Sequence, residues 1–168
     1  MKRRVTNKKG FTLVEILIVV IIMAILAGVM IPQFTSSSDE AKLSTLRTDL
    51  VAMRAAIELY YIQHKSTYPG ANTSNYGGHT TAAEYFVDQL TLYTDIDGEA
   101  VAVKDGTHKY GPYVKHGIPV NPFDDSDTVV VDTTTDDLSA AAPDDTGGWI
   151  FFTITGQFFA NDGAHGDM

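Results

Sequence analysis

Glu15 is the single charged residue in the apolar run FTLVEILIVVIIMAILAGVMI, which fills residues 11–31. An ionisable side chain inside such a run costs a few kcal/mol at the centre of a bilayer, so a charge retained there is functional by default. Near the end of the run the cost falls, and the plain alternative is a carboxylate that reaches the lipid headgroups. The other titratable groups form weaker patterns. His64, His79, His108, His116 and His165 show no metal-ligand spacing such as H-E-x-x-H and read as surface residues. Asp124, Asp125 and Asp127, then Asp132, Asp136 and Asp137, then Asp144 and Asp145 make three acidic clusters. Calcium favours several carboxylate and carbonyl oxygens on a flexible loop, which makes Asp124, Asp125 and Asp127 the metal candidates; the alternative is a solvated acidic surface. The chain has no cysteine, which excludes disulfides, thiolate metal sites and cysteine nucleophiles. It also lacks a G-x-S-x-G elbow, a P-loop and a dinucleotide-binding glycine pattern, so no enzyme chemistry is expected.

The element that positions Glu15 is a helix. Twenty-one residues at about 1.5 Å each give roughly 31 Å, the thickness of a hydrocarbon core. Lys2, Arg3, Arg4, Lys8 and Lys9 precede it with no acid among them, which places the N-terminus in the cytoplasm and the body outside it. A secretory signal peptide shares the basic start and apolar middle, but its apolar region is shorter, and no A-x-A-like site closes this one. Without the first ten residues the chain has 12 − 5 = 7 basic against 21 acidic residues, a net charge of −14. That sign argues against direct nucleic-acid binding, which relies on neutralising phosphates.

The segment Lys8-Lys9-Gly10-Phe11-Thr12-Leu13-Val14-Glu15, followed by the apolar run, resembles the class III signal of type IV prepilins and type II secretion pseudopilins. The resemblance implies cleavage between Gly10 and Phe11 by a prepilin peptidase, N-methylation of the new Phe11 amine, and pairing of Glu15 with the terminal amine of an adjacent subunit. Opposite charges attract more strongly in a low-dielectric setting, and each relieves the burial cost of the other. Pro32 matches a position where this family often has a helix-interrupting proline, with Gly28 four residues earlier. Proline removes a helix hydrogen bond and clashes with the preceding turn, so a kink or melted turn is expected over 28–32. Major pseudopilins carry a structural calcium near their C-terminal loops, but their usual Ser/Gly/Asp-rich C-terminal pattern is not found here.

A second helical pattern resumes at once. Leu43, Leu46, Leu50, Met53, Ile57 and Tyr60 are spaced 3, 4, 3, 4, 3 with charged residues between, one amphipathic helix with its apolar stripe turned to a core. Tyr68-Pro69-Gly70 stops it, so the helix is expected to end between residues 64 and 67. A polar loop to about Thr80 contains the sequon Asn72-Thr73-Ser74, a short motif of little weight. Thr81 caps a short second helix to Leu90 with Phe86, Val87 and Leu90 inward. Residues 111–115 and 118–122 read as extended segments tied by prolines and resemble the loop before the sheet in major-pseudopilin-like proteins. Residues 128–131 form a strand, and 148–154 with 157–161 form an antiparallel hairpin around Thr155-Gly156.

The expected fold is α+β and pilin-like: a long kinked N-terminal helix packed on a small antiparallel β-sheet. The expected divisions are a basic leader over 1–10, a transmembrane or filament-core half-helix over 11–32, and an extracytoplasmic domain over 33–168. Within that domain lie a helix over 33–66, a variable loop and short helix over 67–110, and the sheet region over 111–168. The resemblance implies a non-enzymatic filament subunit of the bacterial inner membrane that reaches the periplasm or the cell surface. A major pseudopilin of a type II secretion system is favoured over a surface type IV pilin. The lack of paired C-terminal cysteines, the single-domain length and the Gly-Pro-Tyr segment carry that preference. The implied partners are further copies of the chain in a homo-oligomeric helical filament, the prepilin peptidase, an inner-membrane assembly platform, minor pilins or pseudopilins, and the membrane. A membrane-tethered periplasmic enzyme or binding protein is the alternative of another class.

Overall fold

The computed structural model describes residues 10–73, 77–136, 143–166 and 168, with the backbone alone described over 29–37. Seven elements follow one another. They are α1 (Leu13–Gln63), α2 (Ala82–Thr91), β1 (Tyr93–Thr94), β2 (Ala100–Val101), β3 (Val129–Asp132), β4 (Trp149–Phe152) and β5 (Phe158–Ala160). The chain divides into two compact units, residues 1–41 and residues 42–168, and α1 contributes to both. The helical assignment continues through Gly28 and Pro32.

In the second unit the α1 stripe is buried as its spacing requires. Leu46, Leu50, Met53, Ile57 and Tyr60 are buried together with Phe86 and Leu90 of α2 and with Val129, Trp149, Phe151, Phe158 and Ala160 of the strands. Leu43 is only half-buried, at the edge of the stripe. Packing of one helical stripe against a second helix and a sheet makes this the core of an α+β domain. The helix α2 begins with a complete capping box: the Thr81 hydroxyl accepts from the Glu84 N–H, and the Glu84 carboxylate accepts from the Thr81 N–H. Phe86 and Leu90 face the core as expected, Val87 is half-buried, and Gln89 is buried as well. The Gln89 amide accepts from the Gly70 N–H at 2.7 Å and donates to the Gly98 carbonyl at 3.0 Å. It thereby ties the loop after α1 to the β1–β2 connection.

The sheet expectation needs one correction. The hairpin is present, with β4 antiparallel to β5 and Phe151 opposite Phe158, but β3 runs parallel to β4. The three-stranded sheet is therefore mixed, in the order β3-β4-β5, and β1 and β2 form a separate antiparallel ribbon. As the central strand, β4 has all four of its residues buried. That explains why Trp149-Ile150-Phe151-Phe152 reads as a continuous apolar run and not as an alternation. Residues 111–122 contain no strand apart from an isolated bridge at Asn121. Their contribution is to hold the ends of other elements. Tyr113 and Val114 both donate backbone N–H groups to the Leu90 carbonyl at 2.9 Å, and the Pro119 carbonyl accepts from the Trp149 indole at 2.7 Å. Gly148, at φ +71°, leads into β4, and a Cβ there would lie 2.2 Å from the Thr128 carbonyl oxygen. Only glycine fits that position.

Candidate functional site

The N-terminal segment enters its helix through a cap that sequence reading missed. The Thr12 hydroxyl accepts from the Glu15 N–H at 3.2 Å, and the Thr12 carbonyl accepts from the Glu15 and Ile16 N–H groups at 3.1 and 3.3 Å. Thr12-x-x-Glu15 has the spacing of a capping box, which was legible in the sequence once Glu15 is considered as a helix-terminal residue. Gly10 lies outside the helix and is exposed, as are Phe11 and Glu15. The peptide bond between Gly10 and Phe11 is thus on non-helical backbone, the conformation in which a peptidase can bind an extended chain.

From Phe11 to Leu26 the large apolar side chains are 43% to 83% exposed. Full burial of each is worth about 1.5–3 kcal/mol, so this face has a strong drive to leave water for lipid or for other apolar helices. Among the described residues no helix is long and apolar enough to cross a membrane. The described side chains of the run stop at Gly28, whereas the apolar sequence continues to Ile31. A Cβ at Gly28 would meet nothing within 4 Å, so no packing in the isolated chain demands glycine there. The basic residues of the leader lie outside the described residues.

The acidic clusters act as loop staples. Asp124 accepts from the Ser126 N–H at 2.9 Å and from the Gly148 N–H at 2.7 Å. Asp132 accepts from the N–H groups of Thr134 and Thr135 and from both of their hydroxyls. Asp144 accepts from the Thr146 N–H and hydroxyl and from the Asn161 amide. Asp125 sits at a positive φ of 55°, and Asp127 is exposed. Asp137 lies outside the described residues. Among the described residues no group of three or more His, Cys, Asp or Glu side chains is arranged to hold a metal ion. Adding a chelator to the full chain is expected to leave its melting temperature unchanged; a fall would restore calcium to the loop of Asp124, Asp125 and Asp127.

Two histidines depart from the surface placement expected of them. His64 is 2% exposed at the end of α1, where its ring stacks on Tyr60 at 3.8 Å. Its Nδ1 lies 2.8 Å from the Tyr60 carbonyl and its Nε2 2.9 Å from the Thr94 hydroxyl. His108 is 8% exposed with Nδ1 at 2.9 Å from Asp105. His79 and His165 are half-buried beside Asp88 and Asp162, and His116 is exposed. Histidine pairs its apolar ring with two polar nitrogens, so aromatic neighbours and a local acceptor suffice to bury it, and neither was visible in the spacing.

These groups set the pH dependence of the body. The Thr135 hydroxyl, the Thr134 N–H and their neighbouring donors hold the Asp132 carboxyl down at about 2. The His108 N–H and ring, with the Thr107 N–H, bring Asp105 to about 2. The Thr146 hydroxyl and then the Asn161 amide hold Asp144 below the usual carboxylate range. A carboxylate depressed in the folded state contributes stability that is complete above its unfolded value of about 4 and is lost as pH falls towards 2. His64 acts in a higher window. Burial pushes its pKa down, so the folded chain keeps it neutral while the unfolded chain takes up a proton below about pH 6.5. The melting temperature of the full chain in detergent, followed by circular dichroism, is expected to decline in two stages, first below about pH 6.5 and again between about pH 4 and 2. His64→Gln should remove the first stage and leave the second.

Comparison with known proteins places the N-terminus firmly. The prokaryotic N-terminal methylation motif matches residues 5–31. The type II secretion system core protein G of Pseudomonas aeruginosa is 41% identical over 64 residues, covering 38% of this chain and 44% of that protein. A fimbrial protein of Neisseria meningitidis serogroup B is 37% identical over 79 residues, covering 47% of this chain and 45% of its own length. The type IV major fimbrial protein FimA of Dichelobacter nodosus is 38% identical over 71 residues, covering 40% and 46%. The chain therefore spans less than half the length of these relatives. No solved structure gives a significant match. The chain thus carries the prokaryotic N-terminal methylation motif and is similar, over part of its length, to subunits of type II secretion systems and of fimbriae.

Proposed function

We propose that this chain is a structural subunit of a type IV pilus-like filament, most specifically a major pseudopilin of a type II secretion system. The single observation that carries the reading is the exposed apolar helix that follows Gly10 and bears one carboxylate, Glu15, in its first turn. The chain is inserted in the inner membrane with its leader in the cytoplasm, cleaved between Gly10 and Phe11 by a prepilin peptidase, and methylated on the Phe11 amine. It then leaves the lipid for a bundle in which the helices of other copies replace lipid as the apolar solvent. Glu15 pairs there with the Phe11 amine of a neighbour, and Gly28 with Pro32 lets the helix bend. No chemistry is asked of the body, whose role is to be carried and packed.

A surface type IV pilin is the second reading, supported by the similarity to the two fimbrial proteins. Peptide mass spectrometry of sheared surface filaments and of the remaining envelope from native cells separates the readings. The expected result is a chain beginning at methylated Phe11 and confined to the envelope. The same chain concentrated in the sheared fraction makes it a surface pilin, and a chain still beginning at Met1 in both fractions overturns the filament reading.

A further inference from the structure

The body carries a groove of about 340 Å³ beside α1, lined by Asp49, Ala52 and Met53 of the helix and by residues 113–117 and Pro119. Most of its wall is apolar: Ala52, Met53, Tyr113, Val114 and Pro119. Asp49 is half-buried within it. Among the described residues no hydrogen bond or ion pair reaches its carboxylate, and burial alone pushes its pKa up. This sets it apart from Asp95, Asp105, Asp124, Asp132 and Asp144, which each accept from two or more donors. A carboxylate desolvated without compensation costs the free subunit stability and gains most from a cation that arrives with an apolar stem.

We propose that this groove receives a lysine or arginine side chain of a second copy of the chain, with its aliphatic stem against Met53, Tyr113 and Pro119 and its charge on Asp49. The proposal rests on the filament reading and assigns a contact between bodies within it. Charge complementarity identifies the donor. Outside the first ten residues the chain has seven basic residues, Lys42, Arg47, Arg54, Lys65, Lys104, Lys109 and Lys115. Arg54 donates to the carbonyls of Phe158 and Met168, and Lys65 is paired with Asp97. Lys42 and Lys104 lie over the rings of Phe123 and Tyr93, and Lys115 is on the groove's own rim. Arg47 and Lys109 are exposed, with no ion pair among the described residues. They are the donors a second copy can offer. Arg47 is two residues from Asp49 on α1, hence about 200° round the helix. A contact joining these different faces is heterologous, the type that propagates along a filament and does not close into a dimer. The face of α1 that bears Arg47, and not the groove face, supports a second copy as the occupant. Val51 is 67% exposed, Leu59 47% and Ile62 74%, an apolar stripe on the same helix that a free monomer would leave in water.

The test uses the full chain co-expressed with its assembly machinery, with a photo-crosslinking residue at Val114. The wild-type background should give an adduct of twice the subunit mass, and peptide mapping should find the segment bearing Arg47 or Lys109. Asp49→Asn should lower filament yield at least fivefold while leaving the melting temperature of the detergent-solubilised subunit equal or higher, because an uncompensated carboxylate has been removed. Asp49→Arg should abolish the adduct, and adding Arg47→Asp or Lys109→Asp should restore it. Lys65→Gln, at a cation already paired with Asp97 and outside the groove, should leave yield unchanged. Wild-type filaments with unaltered yield in Asp49→Asn overturn the groove contact alone, as does an adduct to a different protein. A Lys65→Gln loss that matches that of Asp49→Asn overturns it too, because the effect would then not belong to the groove. A wild-type chain that is processed but never multimerises overturns the filament reading together with the contact.

Discussion

Replacing Glu15 by leucine is expected to leave processing and membrane insertion intact and to remove the chain from filaments. The cleavage site at Gly10 and Phe11 is untouched, and leucine makes the run over residues 11–31 uniformly apolar, so insertion is favoured if anything. In a packed helix bundle the Phe11 ammonium of the neighbouring copy would then be buried without its counter-charge. Removing one member of a buried pair costs about 3–5 kcal/mol, which corresponds to a loss of roughly two decades or more in the association constant. Glu15→Asp keeps the charge on a shorter arm and should recover part of the yield. The measurement is the ratio of processed chain in the filament fraction to that in the membrane fraction. A normal ratio in Glu15→Leu would remove the charge pair from the mechanism and favour a tether whose helix serves only as an anchor. The cap from Thr12 is made to the backbone N–H of Glu15, so the leucine variant keeps it, and loss of helix start does not confuse the result.

Trp149→Ala should have the largest effect on the body. Trp149 is fully buried, stacks on Phe158 at a centroid distance of 5.3 Å and donates its indole N–H to the Pro119 carbonyl. Truncating such a side chain costs about 3–5 kcal/mol, against a total stability of about 5–15 kcal/mol for an ordinary domain. The variant is therefore expected to lose a large share of the body's stability, seen as a steep fall in melting temperature. The proposed cleavage and methylation should persist, because the matched N-terminal methylation motif ends at residue 31. Trp149→Phe keeps an aromatic ring against Phe158 but loses the hydrogen bond and part of the volume, so it should cost less than Trp149→Ala and leave the domain folded. An unprocessed Trp149→Ala chain would show that the peptidase reads the folded body as well as the N-terminal segment.

Periodicity made the helices legible, because a helix that packs on one side must repeat its apolar residues at three and four. The stripe from Leu46 to Tyr60 is buried at the positions the spacing selects, and the Thr81 cap starts α2 where the hydroxyl and the acid three residues later require. The β4–β5 hairpin was readable from aromatic and β-branched residues around Thr155-Gly156. The direction of β3 was not. Parallel and antiparallel neighbours present the same short apolar strand, and what decides between them is the path of the intervening chain. The use made of the acids of the body was not legible either, for a related reason. Local carboxylate-to-backbone bonds of the Asx-turn type need only a favourable turn two residues on, so spacing does not distinguish them from a metal loop, and Asp124, Asp132 and Asp144 each make such bonds.

The sequence by itself determined the N-terminal pattern: five basic residues among the first ten, Gly10 before Phe11, Glu15 in a 21-residue apolar run and a second amphipathic stretch are all local patterns read without any partner. Tertiary structure alone decided that His64 is buried under a tyrosine, that β3 lies parallel to β4, that Asp124 holds Gly148, and that Asp49 faces an apolar groove with no partner among the described residues. Each of those facts joins residues far apart in the chain or depends on which neighbour excludes water. Such relations arise only when the chain packs, since spacing records which face of an element is apolar and carries no information about what that face will meet.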